Sequence, residues 1–388
     1  MSAGHMQRGA PVRVLVVDDS SIFRLLLVRS LRADRGIEVI GEAGSAEEAG
    51  AFVAHTRPDV ITLDLEMPGA GGMVFLRDTI ARLAIPTIVI SSLTQRGARR
   101  SIEALEAGAV DVMAKPDGIA PGRPDHAGLA EIALRIKGVA RARTRAAAPP
   151  APALTEPATA RTDPPATPPL RAPQRPGRPG EPVILLGAST GGVQALGTVL
   201  GALPADCPPV AIVQHMPEGF TDAFARRLND ACRPAIREAQ HGDALERGTV
   251  LIAPGGTRHM ELRGSATGAL RVELVPGDPI SYSRPAVDAL FQSAARIAAP
   301  RVVAAVLTGM GADGAAGLVA LRRGGAQTFV QDEATALIWG MPGQAWRQGG
   351  AQEQVPLGEI AGRLLAAIGM KPASPAPGEP HAAPQSIS

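Results

Sequence analysis

The sequence predicts two open-sheet α/β domains joined by a proline-rich linker, and three observations carry that reading. Short continuous apolar runs recur in both halves of the chain, among them VRVLVV (Val12–Val17), VILLG (Val183–Gly187) and VVAAVL (Val302–Leu307). Runs of this kind suit strands buried on both faces of a parallel sheet. Each is followed by a small or polar turn and a helical pattern, which implies repeated βα units with right-handed crossovers. Proline crowds into one stretch, from Arg145 to Pro182. It fixes φ and removes a donor, so neither helix nor sheet propagates there. We therefore expect domains over 11–145 and 182–368, a linker over 146–181 and a disordered tail over 369–388. The 388 residues accommodate this at roughly 100–200 residues per domain. Fully extended at ~3.1 Å per residue, the linker reaches roughly 110 Å.

The first block reads strand and helix in alternation. After Val12–Val17 comes a helix over Ser20–Ala33, then IEVIGEA, a helix over Ala46–His55, DVITLD, and a helix after Gly72. TIVIS (Thr87–Ser91), a helix near Gly97–Ala107, VDVMAK (Val110–Lys115) and a last helix near Leu129–Arg141 complete it. The second block adds VAIVQ (Val210–Gln214). TVLIAP, RHMEL and LRVELV (Leu270–Val275) are shorter and admit an antiparallel edge. In open parallel sheets the chemistry sits beyond the carboxyl ends of the strands, so the residues there are the candidates.

Composition excludes several classes. Lys plus Arg number 39 against 37 Asp plus Glu, a net charge of +2, so no whole-chain field attracts nucleic acid. Aromatics at 3% leave little for base stacking. No run of ~18 apolar residues is present for a membrane span, and the opening MSAGHMQRGAP lacks a signal-like apolar stretch. Cys207 and Cys232 make neither a metal-ligand pair nor a disulfide framework, which fits a cytoplasmic protein.

Four strand ends of the first block carry functional groups: Asp18-Asp19, Asp64, Ser91 and Lys115. Carboxylates gathered at one sheet edge repel unless a cation sits among them, and Mg²⁺ takes oxygen ligands. A lysine opposite holds an anionic group by point charge. The competing reading is that Asp18-Asp19 caps the following helix. In the second block, GASTGG places Ser189 and Thr190 after a strand, at a helix N-terminus that favours developing negative charge. An N-capping serine or a phosphate-cradling loop reads the same motif. His215 ends VAIVQ within QHMP, a base for a serine otherwise weakly nucleophilic, or simply a structural histidine. Asp313, in LTGMGADG, either orients that imidazole or caps its own helix, and the Gly309–Gly311 turn points N–H groups at an oxyanion. Together the three ends favour a Ser189–His215–Asp313 hydrolase. Arg284 is a further guess for substrate contact, Trp339 is placed in packing, and His241 and His259 lack metal spacing.

VVDDS, LDLEMP, SSLT and AKP resemble the receiver domain of bacterial response regulators, a flavodoxin-like doubly wound sheet, over about residues 11–142. The resemblance implies that Asp64 accepts a phosphoryl group from a histidine kinase. It further implies Mg²⁺ held by Asp18, Asp19, Asp64 and the backbone carbonyl of Glu66, with Ser91 and Lys115 on the phosphoryl group. The chain departs from the pattern at Pro68-Gly69-Ala70-Gly71-Gly72. GASTGG, QHMP, SRPAVDALF and LTGMGADG, in that order, resemble the catalytic domain of chemotaxis protein-glutamate methylesterases. By that resemblance Ser189 is nucleophile, His215 base and Asp313 its orienting acid, with Thr190 and the Met310 N–H assisting the oxyanion, and ester hydrolysis takes no cofactor. The implied substrates are glutamate methyl esters and particular glutamines of methyl-accepting chemoreceptors, without nucleic acid or membrane insertion. The alternatives are a response regulator of another pathway with a partner-binding or DNA-binding output, and an esterase acting on something other than receptors.

Overall fold

The computed structural model describes residues 10–68, 71–116, 126–146, 175–176, 180–265 and 267–370. Most of the predicted linker and tail, with Gly69 and Ala70, lies outside the described residues.

The first half alternates β1 (Val12–Val17), α1 (Ser21–Ala33), β2 (Ile37–Ala43), α2 (Ala46–His55), β3 (Val60–Leu63), α3 (Gly71–Leu83), β4 (Thr87–Ser91), α4 (Gln95–Glu106), β5 (Asp111–Ala114) and α5 (His126–Ala146). The strands form one parallel sheet in the order β2-β1-β3-β4-β5. The order reverses between β1 and β3, so the crevice at their carboxyl ends is the natural ligand position. Serine and threonine start the helices: Ser20 accepts from the Phe23 N–H, Ser45 from Glu48 and Thr94 from Gly97. Asp18 and Asp19 are thereby not the caps of α1; Ser20 is, and Asp18 in turn accepts the Ser20 N–H at 2.9 Å.

The second half contains β6 (Arg175–Pro176), β7 (Val183–Ala188), α6 (Gly192–Gly201), β8 (Val210–Gln214), α7 (Phe220–Ala231), β9 (Ala235–Glu238), β10 (Glu246–Arg247), β11 (Thr249–Ile252), β12 (Arg258–Arg263), β13 (Arg271–Pro276) and α8 (Val287–Ala298). It ends with β14 (Val302–Val306), α9 (Ala315–Arg323), β15 (Gln327–Gln331), α10 (Met341–Arg347), β16 (Glu353–Val355) and α11 (Leu357–Ala366). Seven parallel strands run β16-β15-β14-β7-β8-β11-β9. From β7 the chain builds one wing through β8 and the other through β14, so the switch point lies around β7.

Three expectations change. TVLIAP supplies β11, an interior parallel strand between β8 and β9. The antiparallel pair exists, but β12 and β13 form their own two-stranded sheet, packed on α8 through Met260, Leu262 and Phe291. Within the stretch read as linker, Arg175–Pro176 pairs antiparallel with β10. Period alone does not distinguish a four-residue buried strand from an edge, and β9, β15 and β16 went unread because each is short or polar at one end.

The two halves are packed together. Apolar residues of α4 and of the turn after it, Ile102, Leu105 and Ala109, belong to one cluster with Ala195, Leu196 and Phe224 of the second half. Gln194 of α6 donates its amide to the carbonyls of Leu105 (2.9 Å) and Ala109 (3.1 Å), and Glu106 pairs with Arg227. Met310 lies so close to α5 that a Cβ on Gly138 would fall 2.5 Å from its sulfur, so a side chain there would push the methionine aside. The α4–β5–α5 face of the first sheet therefore covers the carboxyl edge of the second.

Two candidate active centres at the strand ends

The first centre assembles from β1, β3 and β5. Asp18, Asp19 and Asp64 each offer an oxygen within 4.8 Å of the others. Lys115 donates from Nζ to Asp64 Oδ2 at 2.6 Å and lies 2.8 Å from Asp18 Oδ2. Burial pushes the Asp18 carboxyl above its ordinary value even though Lys115 opposes it. Burial also works against the Lys115 ammonium, but its two carboxylate partners outweigh that and hold it protonated. Three carboxylates against one ammonium leave negative charge in excess, and an all-oxygen set of this size suits a divalent cation such as Mg²⁺. The Glu66 N–H donates to Asp64 Oδ1 at 2.9 Å, while the Glu66 carboxylate accepts from Ser92 Oγ at 2.6 Å and turns away from the cluster. Ser91 closes β4, but its hydroxyl is wholly buried with no hydrogen-bond partner among the described residues.

The second centre assembles from β7, β8 and β14. Ser189 follows β7, 3% exposed, with its N–H donating to the Thr308 carbonyl at 3.0 Å. Its own carbonyl accepts from Gly192 N–H and from the Gln214 amide. Gly191, not Ser189, occupies the N-cap of α6, at φ 78° and pressed against Leu337, where a side chain does not fit. His215 follows β8; its Nε2 lies 2.7 Å from Asp313 Oδ2. Asp313 is not the cap of the following helix, whose N-cap is Gly314; its carboxylate accepts the N–H groups of Val287 (2.6 Å) and Asp288 (2.9 Å) at the start of α8, and that of its neighbour Gly314 (2.9 Å). The imidazole and the carboxylate are thus joined. Ser189 and His215 line one crevice, yet among the described residues no hydrogen bond links them. His215 Nδ1 lies 3.1 Å from Ser283 Oγ instead. The Met310 N–H has no hydrogen-bond partner among the described residues, as an oxyanion donor requires.

The first half reaches into this centre. The Thr190 hydroxyl, fully buried, donates to Asp111 Oδ2 at 2.6 Å. Arg135 of α5 donates to that same oxygen at 2.6 Å and to Thr190 Oγ1 at 3.2 Å, and also pairs with Glu131. Burial opposes the Arg135 charge, but Asp111 and Glu131 outweigh it and keep the guanidinium firmly protonated. The crevice holding Ser189 and His215, roofed by Leu105, Val110, Asp111 and Val112, has a volume of about 10 Å³. That is room for at most one water, so no ester reaches Ser189 while the halves are packed this way.

The remaining sequence candidates are structural. Arg284 donates to the carbonyls of Gly256 (2.9 Å) and Gly277 (2.7 Å) and so ties loops together. His259 is buried on β12, accepting from the Ala286 N–H and bonded to the Asp278 carbonyl. Trp339 donates its indole N–H to the Gln331 carbonyl. Both cysteines are buried, with thiols pushed up to about 12 (Cys207) and about 11 (Cys232), chiefly by burial, which makes them inert. Sequence reasoning missed Asp111, Arg135, Gln214, Ser283 and Asp288. Asp111 and Arg135 have no local signal, because each acts through a partner far along the chain, whereas Ser283 and Asp288 lie within the SRPAVDALF motif and Gln214 directly precedes His215.

Asp288 sits behind Asp313, its carboxylate accepting the Gly317 N–H at 2.6 Å. Burial, above all, pushes its carboxyl up to about 6; the Gly317 bond pulls the other way and the Asp313 charge adds to the rise. A carboxyl that binds its proton more tightly folded than unfolded stabilises the fold at low pH, and that contribution is lost as pH rises through about 6. The thermal midpoint of the wild type should therefore fall relative to that of Asp288→Asn as pH rises from about 4 to about 7. A constant difference between the two proteins across this range contradicts the assignment.

Comparison with known proteins follows the same division. The family model for the response regulator receiver domain matches residues 14–120, and that for CheB methylesterase matches residues 184–364. The protein-glutamate methylesterase/protein-glutamine glutaminase of group 2 operon from Cereibacter sphaeroides is 47% identical over 361 residues, covering 93% of each chain. The protein-glutamate methylesterase/protein-glutamine glutaminase of Agrobacterium fabrum is 44% identical over 92% of this chain and 96% of its own. One from Caulobacter vibrioides is 42% identical over 92% and 98%. Among the described residues no helix is long and apolar enough to cross a membrane. With such identity along nearly its whole length, and a receiver domain preceding a CheB methylesterase domain, the chain belongs to the protein-glutamate methylesterase/protein-glutamine glutaminase family.

Proposed function

We propose that this chain removes methyl esters from glutamate side chains of chemoreceptors, releasing methanol, deamidates particular receptor glutamines, and is switched on by phosphorylation of Asp64 by a histidine kinase. In this reading residues 11–145 are the receiver, 146–181 the linker and 182–368 the hydrolase, acting in the cytoplasm. The observation that carries it is the His215–Asp313 pair, with Asp313 fixed by three backbone N–H groups, in the crevice that also holds Ser189.

The chemistry follows from those groups. His215 takes the proton of Ser189 as Oγ attacks the ester carbonyl, and Asp313 stabilises the imidazolium formed. The Met310 N–H and the Thr190 hydroxyl face the oxyanion. Methanol leaves with the proton returned by His215, and a water, deprotonated by the same imidazole, releases glutamate. A glutamine follows the same course with ammonia as leaving group.

Gating follows from packing. Thr190 is bound to Asp111 and the crevice is too small for substrate, so the packed form is the inactive one. At the receiver, Lys115 and the carboxylates of Asp18, Asp19 and Asp64 are the groups that meet an incoming phosphoryl group, together with Ser91. Mg²⁺ held by Asp18, Asp19, Asp64 and the Glu66 carbonyl would neutralise charge on that group. Phosphorylation of Asp64 replaces a single negative charge with the roughly −2 charge of a phosphoryl group beside Lys115 and Ser91, and this redistribution biases the equilibrium between packed and open halves.

Methanol release from methylated receptor membranes tests the hydrolase. Ser189→Ala should lower it by about 10⁴-fold or more, and residual activity near the wild-type rate would exclude the serine mechanism. Asp64→Asn should leave basal release intact and abolish stimulation by a small phosphodonor. Unchanged stimulation in that variant would remove Asp64 as the switch.

A further inference from the structure

The hydrogen bonds around His215 assign its tautomer. The Asp313 carboxylate already accepts three backbone N–H groups, so it is an acceptor toward the imidazole as well, and Nε2 carries the proton shared at 2.7 Å. In the neutral ring the one in-plane lone pair then lies on Nδ1. A ring nitrogen has a single lone pair and accepts one hydroxyl proton at a time. The hydroxyl in reach is that of Ser283, at 3.1 Å, and not that of Ser189.

Ser283 is held in a distinctive place. Ile280 and Ser283 exchange both backbone hydrogen bonds, at 3.1 and 2.9 Å, closing a two-residue turn. The tip residues, Ser281 at φ 49° and Tyr282 at φ 65°, adopt the left-handed backbone that such turns normally reserve for Gly, Asn or Asp. Tyr282 is 94% exposed. The turn lines a cleft of about 270 Å³ where His215, Ser283 and Arg284 face Lys115, Glu131 and Arg135 of the receiver. A strained, exposed turn at the domain boundary thus ends on the residue that touches the base.

We propose that Ser283 is a positioning residue for the hydrolysis, an inference that rests on the Ser189–His215 reading above. Its hydroxyl donates to Nδ1 of His215, a bond made wholly within the second half, and in the packed and the open forms alike it withholds the base from Ser189. Turnover begins when this bond is exchanged for one from Ser189. The exchange transfers no atom: Ser283 keeps its proton, and the Ser189 proton passes to Nδ1 only as Oγ attacks the carbonyl.

The test uses the full chain with Ser283→Ala and Ser283→Thr. The ¹⁵N resonance of His215 Nδ1 reports the bond directly, and methanol release from methylated receptor membranes reports its consequence. Ser283→Ala should move that resonance toward the position of a free acceptor nitrogen and raise kcat up to about tenfold at unchanged KM, the weight of one neutral hydrogen bond. Ser283→Thr, which keeps the hydroxyl, should restore both. A resonance that stays in place, or a kcat that is unchanged or lower, overturns the proposal. Adding Ser189→Ala to Ser283→Ala separates the two readings. Persistent release there sinks the Ser189 nucleophile itself. Abolished release, alongside a kcat that Ser283→Ala fails to raise, sinks only the role of Ser283.

Discussion

A hydroxyl sealed from water needs an acceptor, and the one Thr190 finds belongs to the other domain. Leaving such a group unpaired costs about 1–3 kcal/mol, and Asp111 removes that cost at 2.6 Å. Asp111 in turn is a buried carboxylate that needs a cation, supplied by Arg135. The chain of dependence runs from β5 and α5 of the receiver to the loop after β7. It draws Val110–Val112 over Ser189 and leaves a crevice of about 10 Å³. Beside the apolar contacts of α4 with α6 and α7, this one shared oxygen ties the receiver to the loop that carries Ser189.

The two centres obey the same construction rule. Each lies where strand order reverses in a parallel sheet, around β1 and β3 in one half and β7 in the other. Each gathers side chains from the ends of separate strands, so the sheet sets their spacing and the loops set their orientation. They differ in how charge is balanced. The receiver centre crowds three carboxylates around one lysine and invites a cation. The hydrolase centre gives one carboxylate three backbone N–H groups and an imidazole.

Much of this was legible in the sequence, because continuous apolar runs mark buried parallel strands and the candidate residues stand at or just beyond their carboxyl ends. Asp18, Asp64, Lys115, Ser189 and His215 stand directly after such strands, and Asp313 stands in the Gly-rich turn beyond one, which is what marks them as candidates. Three kinds of feature were not legible. Short interior strands such as Thr249–Ile252 carry no period that tells them from an edge. Asp111 sits inside a strand and Arg135 inside a helix, and their meeting with Thr190 across the domain boundary leaves no local trace. Ser283 stood in plain view within SRPAVDALF, but which serine faces the imidazole is decided by the turn from Ile280 to Ser283.

Removing both halves of the receiver's hold tests the account most directly. A double variant, Asp111→Ala with Arg135→Ala, takes away the shared oxygen without stranding a buried charge. Methanol release from methylated receptor membranes is then measured with no phosphodonor present. The account predicts a basal rate roughly tenfold or more above that of the wild type, the weight of charge-assisted hydrogen bonds lost from the packed state. A basal rate equal to the wild type's, in a variant that folds and still responds to phosphodonor, would contradict it.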